Sequence, residues 1–304
     1  RDGYNAPTPV SVLSTEDIQA DAPASIADFV NTLPSVKGSS TASSSSGSLS
    51  SGNAGIAAMN LRNLGAGRTL VLFDGQRSVT SGSSGQVDTN TFPQSLVERV
   101  EVVSGGASAA YGSDAVGGVI NFILDRDYTG VKSSVQYGES TYGDNPSEKV
   151  EIPAGFPFAD GDGHVLLSGD IFRSEGVHYT SRDWNLKGYQ GMLNPSRSVA
   201  GQPYYIVGEN IGISVYTPGG LITSGPLKGT YFGTNGSPGQ LSYGATAGNW
   251  MQGGDWDYAT SGIRGTNSLA ADNARDSLFG RVSYMVTPDT EVFFQASQAS
   301  YEGE

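Results

Sequence analysis

The residues of this chain best suited to chemistry are charged and clustered, but they do not form a catalytic set. Val97-Glu98-Arg99-Val100-Glu101-Val102 carries both signs of charge on a short apolar run, with Arg62 and Asp74 upstream. In a compact domain such arginines and carboxylates pair, and the pairs fix register more reliably than they add stability. Gly105, Tyr111-Gly112, Gly117-Gly118 and Asn121 follow. These glycines permit turns that other side chains forbid. A nucleophile, base and acid triad needs a well-placed histidine, and the chain holds only His164 and His178. It has no cysteine, which excludes disulfide scaffolds and thiol catalysis. Two histidines cannot build a multi-histidine metal centre. We therefore expect no enzyme, no metal and no cofactor.

Two apparent motifs fail on spacing. After Gly65-Ala66-Gly67, Leu70 stands where a dinucleotide fingerprint needs its third glycine. Asp160-Gly161-Asp162-Gly163 starts like a calcium loop, but His164 and Val165 follow where ligands and glycine are required. A net charge of −13 argues against nucleic acid, because phosphate binding needs clustered Lys and Arg.

The elements that must position these residues fall into two blocks. Residues 1–130 read as a small mixed domain. Pro9 to Leu13 predicts a strand, followed by a short helix over Glu16–Ala20. Ser25 with Asp28 starts a second helix, with Ile26, Phe29, Val30 and Leu33 on one stripe and Pro34 ending it. Residues 38–55 are almost all Gly, Ser, Ala and Thr and read as a mobile loop. Strands are expected at Met59–Arg62, Leu70–Phe73, Val97–Val103 and Val116–Leu124. Asp74-Gly75 makes a turn, and a second polar loop spans 78–91.

From Val131 the pattern changes to period two. Val165, Leu167, Gly169 and Ile171 alternate with Leu166, Ser168 and Asp170; Leu278, Gly280, Val282, Tyr284 and Val286 alternate with Phe279, Arg281, Ser283 and Met285. One apolar face at this period suits strands with lipid on one side and water on the other. No run of 18 apolar residues exists, so no transmembrane helix is expected. Ala159–Gly163 and Pro288-Asp289 are tight turns, whereas the segment 178–275 is very long. Short turns alternating with long loops mark outer-membrane barrels.

The segment 178–275 contains all three tryptophans, Trp184, Trp250 and Trp256, and nearly balanced charges. Aromatic faces stack on apolar faces of ligands. They also pack large loops or form barrel girdles, and both readings stand.

Several blocks together resemble the plug domain of TonB-dependent outer-membrane receptors. They are Pro9-Val10-Ser11-Val12, Asn60-Leu61-Arg62-Asn63, Leu70 to Gly75, and above all Val97 to Asn121. Asn63 stands where the family commonly has glycine. The resemblance is close over residues 7–130 and weak over 131–304. It implies an α+β plug domain, 1–130, followed by antiparallel transmembrane β-barrel strands, 131–304. About five strands are expected here, with a long extracellular loop at about 178–275, against about 22 in a full transporter barrel. An open set of five would leave unpaired edges in lipid, so the chain is expected to be a truncated or proteolytic piece of a longer protein or one part of a split assembly.

The resemblance further implies import of a scarce nutrient across the outer membrane of a Gram-negative bacterium. The ligand would bind between external loops and the plug's apical loops, 38–58 and 76–91. TonB, driven by ExbB and ExbD, would pull a TonB box upstream of Arg1. Outer-membrane lipid and a nutrient ligand are implied partners, and a surface lipoprotein is admitted. Plug structural or gating residues would be Arg62, Asp74, Gly75, Arg99, Glu101, Gly105, Tyr111, Gly112, Gly117, Gly118 and Asn121. The charged ones either serve the plug fold alone or tie plug to barrel wall and yield under force. Gln76, Arg77, Trp184, Trp250 and Trp256 are candidate ligand contacts, for an oligosaccharide or aromatic metabolite first and a siderophore next. The competing reading is a non-transporting surface-binding or structural component of an envelope assembly.

Overall fold

The computed structural model describes residues 10–303 apart from 16, 19–22, 24, 42–43, 46–51, 83–84, 106, 179–181 and 260–268. The chain divides into two compact units, residues 1–176 with 270–304, and residues 177–269.

The first unit opens with a five-stranded mixed sheet. Its strands are β1 (Val10–Ser14), β2 (Thr69–Phe73), β3 (Gln76–Arg77), β4 (Val97–Val103) and β5 (Gly118–Leu124), in the order β1-β4-β5-β2-β3. β2 runs parallel to β5, and the other neighbours are antiparallel. Helix α1 (Ile26–Val30) begins where expected, with Ser25 Oγ accepting from the Ala27 N–H. It buries Ile26, Ala27, Phe29 and Val30, leaving Asp28 on the open side. The helix expected over Glu16–Ala20 includes residues outside the described set. A short helix α2 (Ser108–Tyr111) precedes β5. Gly118 must be glycine: its φ is +130°, and a Cβ there would lie 2.2 Å from the Val103 carbonyl oxygen.

The strand expected at Met59–Arg62 is not formed. Arg62 and Asn63 both adopt positive φ, and Leu61–Asn63 is a single 3-10 turn. Local bonds hold it there, from the Leu61 N–H to Thr69 Oγ1 and from the Arg62 N–H to the Ser35 carbonyl. The loop expected over 38–55 is partly tied down. Ser40 exchanges backbone bonds with Ala58, and Ser45 Oγ, in a buried residue, accepts from the Gly55 N–H.

The wall of the same unit is one antiparallel sheet. It comprises β6 (Gly130–Val131), β7 (Ser134–Gly138), β8 (Ser147–Phe158) and β9 (Gly163–Ser174). The insert contributes β10 (Gln190–Leu193), β11 (Tyr205–Gly208), β12 (Ile211–Ile213), β13 (Thr230–Phe232), β14 (Pro238–Gln240), β15 (Tyr243–Ala247) and β16 (Trp250–Gly254), before the wall resumes with β17 (Asn273–Thr287) and β18 (Thr290–Gly303). In the wall the order is β18-β17-β9-β8, with β6 and β7 in line on the far side of β8. The four long strands have 12, 12, 15 and 14 residues, enough to cross a bilayer. Tight connections join β8 to β9 and β17 to β18 at one end, the turn end. β9 ends and β17 begins at the other, the loop end.

The second unit is not a featureless loop. Its strands β10–β16 form three small sheets over two local cores, one around Met192, Ile211 and Ala247 and one around Leu241 and Met251. Arg275 lies outside it, on β17.

Candidate functional site

The inner face of the wall meets the plug, and alternation decides which residues do so. On β17 these are Asn273, Arg275, Ser277, Phe279 and Arg281; on β9 they are Leu166, Ser168, Asp170 and Phe172, all buried. Lys149 joins them from β8. The intervening residues, Leu278, Val282, Leu167 and Ile171 among them, are exposed.

The seam has three levels. At the loop end Arg275 is 1% exposed. Its Nε lies 3.3 Å from Asp170 Oδ1, and its Nη1 donates to Asn90 Oδ1 of the plug at 3.3 Å. Ser277 Oγ donates to the other oxygen of Asp170. Asn90 is held in turn by the Gly55 carbonyl and the Ser25 hydroxyl. Tyr301 of β18 donates to the Ala54 carbonyl at 2.9 Å. At mid-height the Ser95 and Ser168 hydroxyls are 3.0 Å apart; Lys149, in the same ladder row as Arg275, reaches Gln94 at 3.4 Å and Glu151 at 3.0 Å. Phe279 enters the plug core, 5.8 Å from Phe73 and edge-on to it. Towards the turn end, Asp74 pairs with Arg126 at 2.9 Å. Arg126 is 3.8 Å from Glu291, which pairs with Arg281 at 3.0 Å.

The expected charged cluster forms only in part. Arg62 is exposed and donates to the carbonyls of Val116 and Gly117, away from Asp74. Arg99 bonds Glu98 and Glu101 on its own strand. Asp74 is buried, and its partner is Arg126. The parallel pairing of β2 with β5 is the reason: it sets Phe73 beside Phe122, so the residues just beyond each strand meet. The tie between plug and wall consists mainly of residues outside the expected set: Asn90, Arg126, Asp170, Arg275, Arg281 and Glu291.

The remaining candidates have local places. Gly75 makes the β2–β3 turn at φ +79°, and its N–H donates to Asn121 Oδ1 at 3.0 Å. Gly112 caps α2 at φ +88°, Gly117 and Gly118 lead into β5, and Gly105 follows β4. Arg77 pairs with Asp114 at 2.7 Å and donates to the Tyr111 carbonyl, so it serves the plug surface; Gln76 beside it is exposed. That pairing holds the Asp114 carboxyl below its usual range. Trp184 lies in the helix Asp183–Leu186. Trp250 packs partly buried on the first local core of the second unit, and Trp256 on the second.

Burial pushes the Asp88 carboxyl above its ordinary range, although the N–H groups of Asn90 and Ala57 pull the other way. Asp28 is likewise raised by its surroundings, against the attraction of Arg275.

A small mixed sheet joined through a polar seam to a sheet of long strands with one apolar face defines the architecture. Residues 2–119 match the family described as the TonB-dependent Receptor Plug Domain. Residues 2–119 thus carry that plug domain, and the strands that follow share the fold of solved receptors of this kind. It resembles the ferric enterobactin receptor PfeA of Pseudomonas aeruginosa with a TM-score of 0.57 at 18% identity, covering 98% of this chain and 34% of that one. The siderophore receptor PirA of Acinetobacter baumannii gives 0.55 at 17%, covering 97% and 32%. The copper transporter OprC gives 0.51 at 11%, covering 98% and 31%. The chain spans about a third of the length of these proteins. The family match ends inside β5, whereas the plug sheet runs to Leu124 and the wall starts at Gly130.

Proposed function

We propose that this chain is the plug and first wall strands of an energised importer in the outer membrane of a Gram-negative bacterium. The observation that carries this reading is the polar seam. A permanent stopper would gain most from a continuous apolar interface. Here much of the contact is hydrogen bonds and ion pairs, which water can replace when the plug moves, as at interfaces between mobile domains.

In this reading, ligand binds at the outer surface and TonB, energised by ExbB and ExbD, pulls a segment upstream of Arg1. The plug then shifts, and the ligand passes unchanged. The edge strand β1, paired only with β4, is the first part of the described plug to bear that force. The insert 177–269 is extracellular, and its balanced charges and aromatic content suit a neutral ligand with stackable faces. Trp184, Trp250 and Trp256 are proposed contacts for that ligand, together with Gln76 and Arg77. A surface lipoprotein is a further proposed partner.

Locking the seam tests the mechanism. Ser95→Cys with Ser168→Cys, in the full receptor, should form a disulfide, since the hydroxyls are 3.0 Å apart. Uptake should stop when the pair is oxidised and return on reduction. Equal uptake by fully oxidised and reduced protein would show that the plug does not move at this seam.

A further inference from the structure

The first turn of helix α1 is tied to the wall through two carboxamides. The opening N–H groups of a helix have no partner inside it and need one outside. Here the Ile26 N–H donates to Gln94 Oε1 at 3.1 Å, and the Ala27 N–H donates to Ser25 Oγ at 3.2 Å. Both acceptors are themselves bonded onward. Gln94 Oε1 also accepts from Lys149 Nζ at 3.4 Å. The Ser25 hydroxyl donates to Asn90 Oδ1 at 3.2 Å, and that oxygen also accepts from Arg275 Nη1 at 3.3 Å. The two arms are alike: one carboxamide oxygen takes a wall cation and a donor from the start of α1. Lys149 and Arg275 are both ladder partners of Phe172, one on each side, so a single inner row of the wall supplies both cations. Asn90, Gln94, Lys149 and Arg275 are all buried.

We propose that Asn90 and Gln94 are positioning residues that make the first turn of α1 conditional on the wall. They form a catch, closed while the Lys149–Phe172–Arg275 row meets the plug and open when that row leaves. Three features carry this. First, α1 has five residues, too few to hold a helical turn unaided, so its start depends on capping. Second, the wall bonds are charge-assisted and buried, so they orient the carboxamides strongly and water does not stand in for them in the closed state. Third, little else orients Gln94, whose Nε2 has no hydrogen-bond partner among the described residues, so without Lys149 only the Ile26 N–H aims its oxygen. Asn90 is fixed on its other side, where Nδ2 donates to the Gly55 carbonyl at 3.2 Å, and Tyr301 of the wall donates to Ala54 next to it. The outer loop and the wall together therefore set the oxygen that Ser25 uses. The use of such a catch rests on the import reading above: a plug shifted off this row carries a loosened α1, close in sequence to the segment that is pulled.

Amide hydrogen exchange on the full receptor in detergent, without ligand or TonB, tests the catch. Arg275→Lys keeps the charge beside Asp170 but draws the donor back from Asn90. It should speed exchange over residues 25–29 by about fivefold or more, the effect of losing one buried hydrogen bond, and leave β2 unchanged. In an Asn90→Ala background the arm is already cut, so Arg275→Lys should change the same amides by less than about twofold. A residue that merely fills space would leave the two changes additive. The second arm gives an independent cycle, Lys149→Met with Gln94→Ala, which decides the matter if a variant of the first arm does not fold. Faster exchange of α1 in the wall variants, removed by cutting the carboxamide, is the expected result. Unchanged exchange in the wall variants, an equal rise in α1 and β2, or additive effects would overturn the catch. None of these outcomes bears on import, which the oxidised and reduced Ser95→Cys, Ser168→Cys receptor judges separately.

Discussion

The two faces of the same wall strands invert the usual arrangement of a soluble protein. From Leu278 to Val286 the outward residues of β17 are apolar, with Leu278 at 65% exposure, while inward residues of the strand include Arg275 at 1% and Arg281 at 3%. In water the apolar face would seek the interior and the arginines the surface. The inversion fits a wall whose outside solvent is lipid and whose inside neighbour is a separate, polar-edged domain. It also makes register stringent, since a one-residue slip would exchange the two faces.

Breaking the inner face should have the largest effect. Asp170→Ala leaves the Arg275 guanidinium buried without its counter-charge, and removing one partner of a buried pair costs about 3–5 kcal/mol. We expect the folded receptor to lose that much stability in denaturant titrations. A change within error would mean that water reaches Arg275 and that the seam is not sealed. The outer face comes next. Leu278→Arg should cost about 2–4 kcal/mol if the residue lies near the bilayer midplane, as measured by folding into lipid vesicles. A neutral or stabilising outcome would show that this face is not in lipid, and the comparison between the two faces would collapse.

These faces were not equally legible. Period two revealed the outward residues directly, because apolar side chains recur at every second position along them. The tight turns and the plug strands β2, β4 and β5 were also readable, from apolar runs bounded by glycine and polar clusters. The inner face carries no such uniform demand. Its residues match particular plug atoms, so Asp170 and Arg275 look like ordinary polar positions until the register sets them side by side. Arg275 reads as loop because Asn273-Ala274-Arg275-Asp276 lacks an apolar face. Arg126 was missed for a different reason: its partner, Asp74, is 52 residues away and is reached only through the parallel β2–β5 pairing. Two signals were available. Asp170 interrupts an alternating run on the face opposite Ile171, and Arg126 stands just past the end of a buried strand.

The smallest expected effect is a pH dependence that separates the plug carboxyls near Arg275 from Asp114 beside Arg77. Asp28 and Asp88 have carboxyls raised by their surroundings, so the native state binds their protons more tightly than the unfolded chain does. Linkage then makes their contribution to stability grow as pH falls from the raised native pKa towards the ordinary carboxylate range, and shrink as pH rises through the same window. Asp114 behaves oppositely: with Arg77 beside it, its contribution is present above the unfolded pKa and is lost as pH falls through the lowered native one. Asp88→Asn keeps an acceptor for the N–H groups of Ala57 and Asn90, which Asp88 Oδ1 now serves at 3.1 and 3.0 Å, and removes the ionisation. The variant should therefore be the more stable protein near neutral pH, with its advantage over wild type narrowing towards pH 4 in thermal melts of the receptor. An advantage that widens on acidification would mean that the Asp88 carboxylate is stabilised as an anion by the arginines of the seam. The loop end would then be an electrostatic clamp, and its polarity would no longer distinguish it from the ion pairs at the turn end.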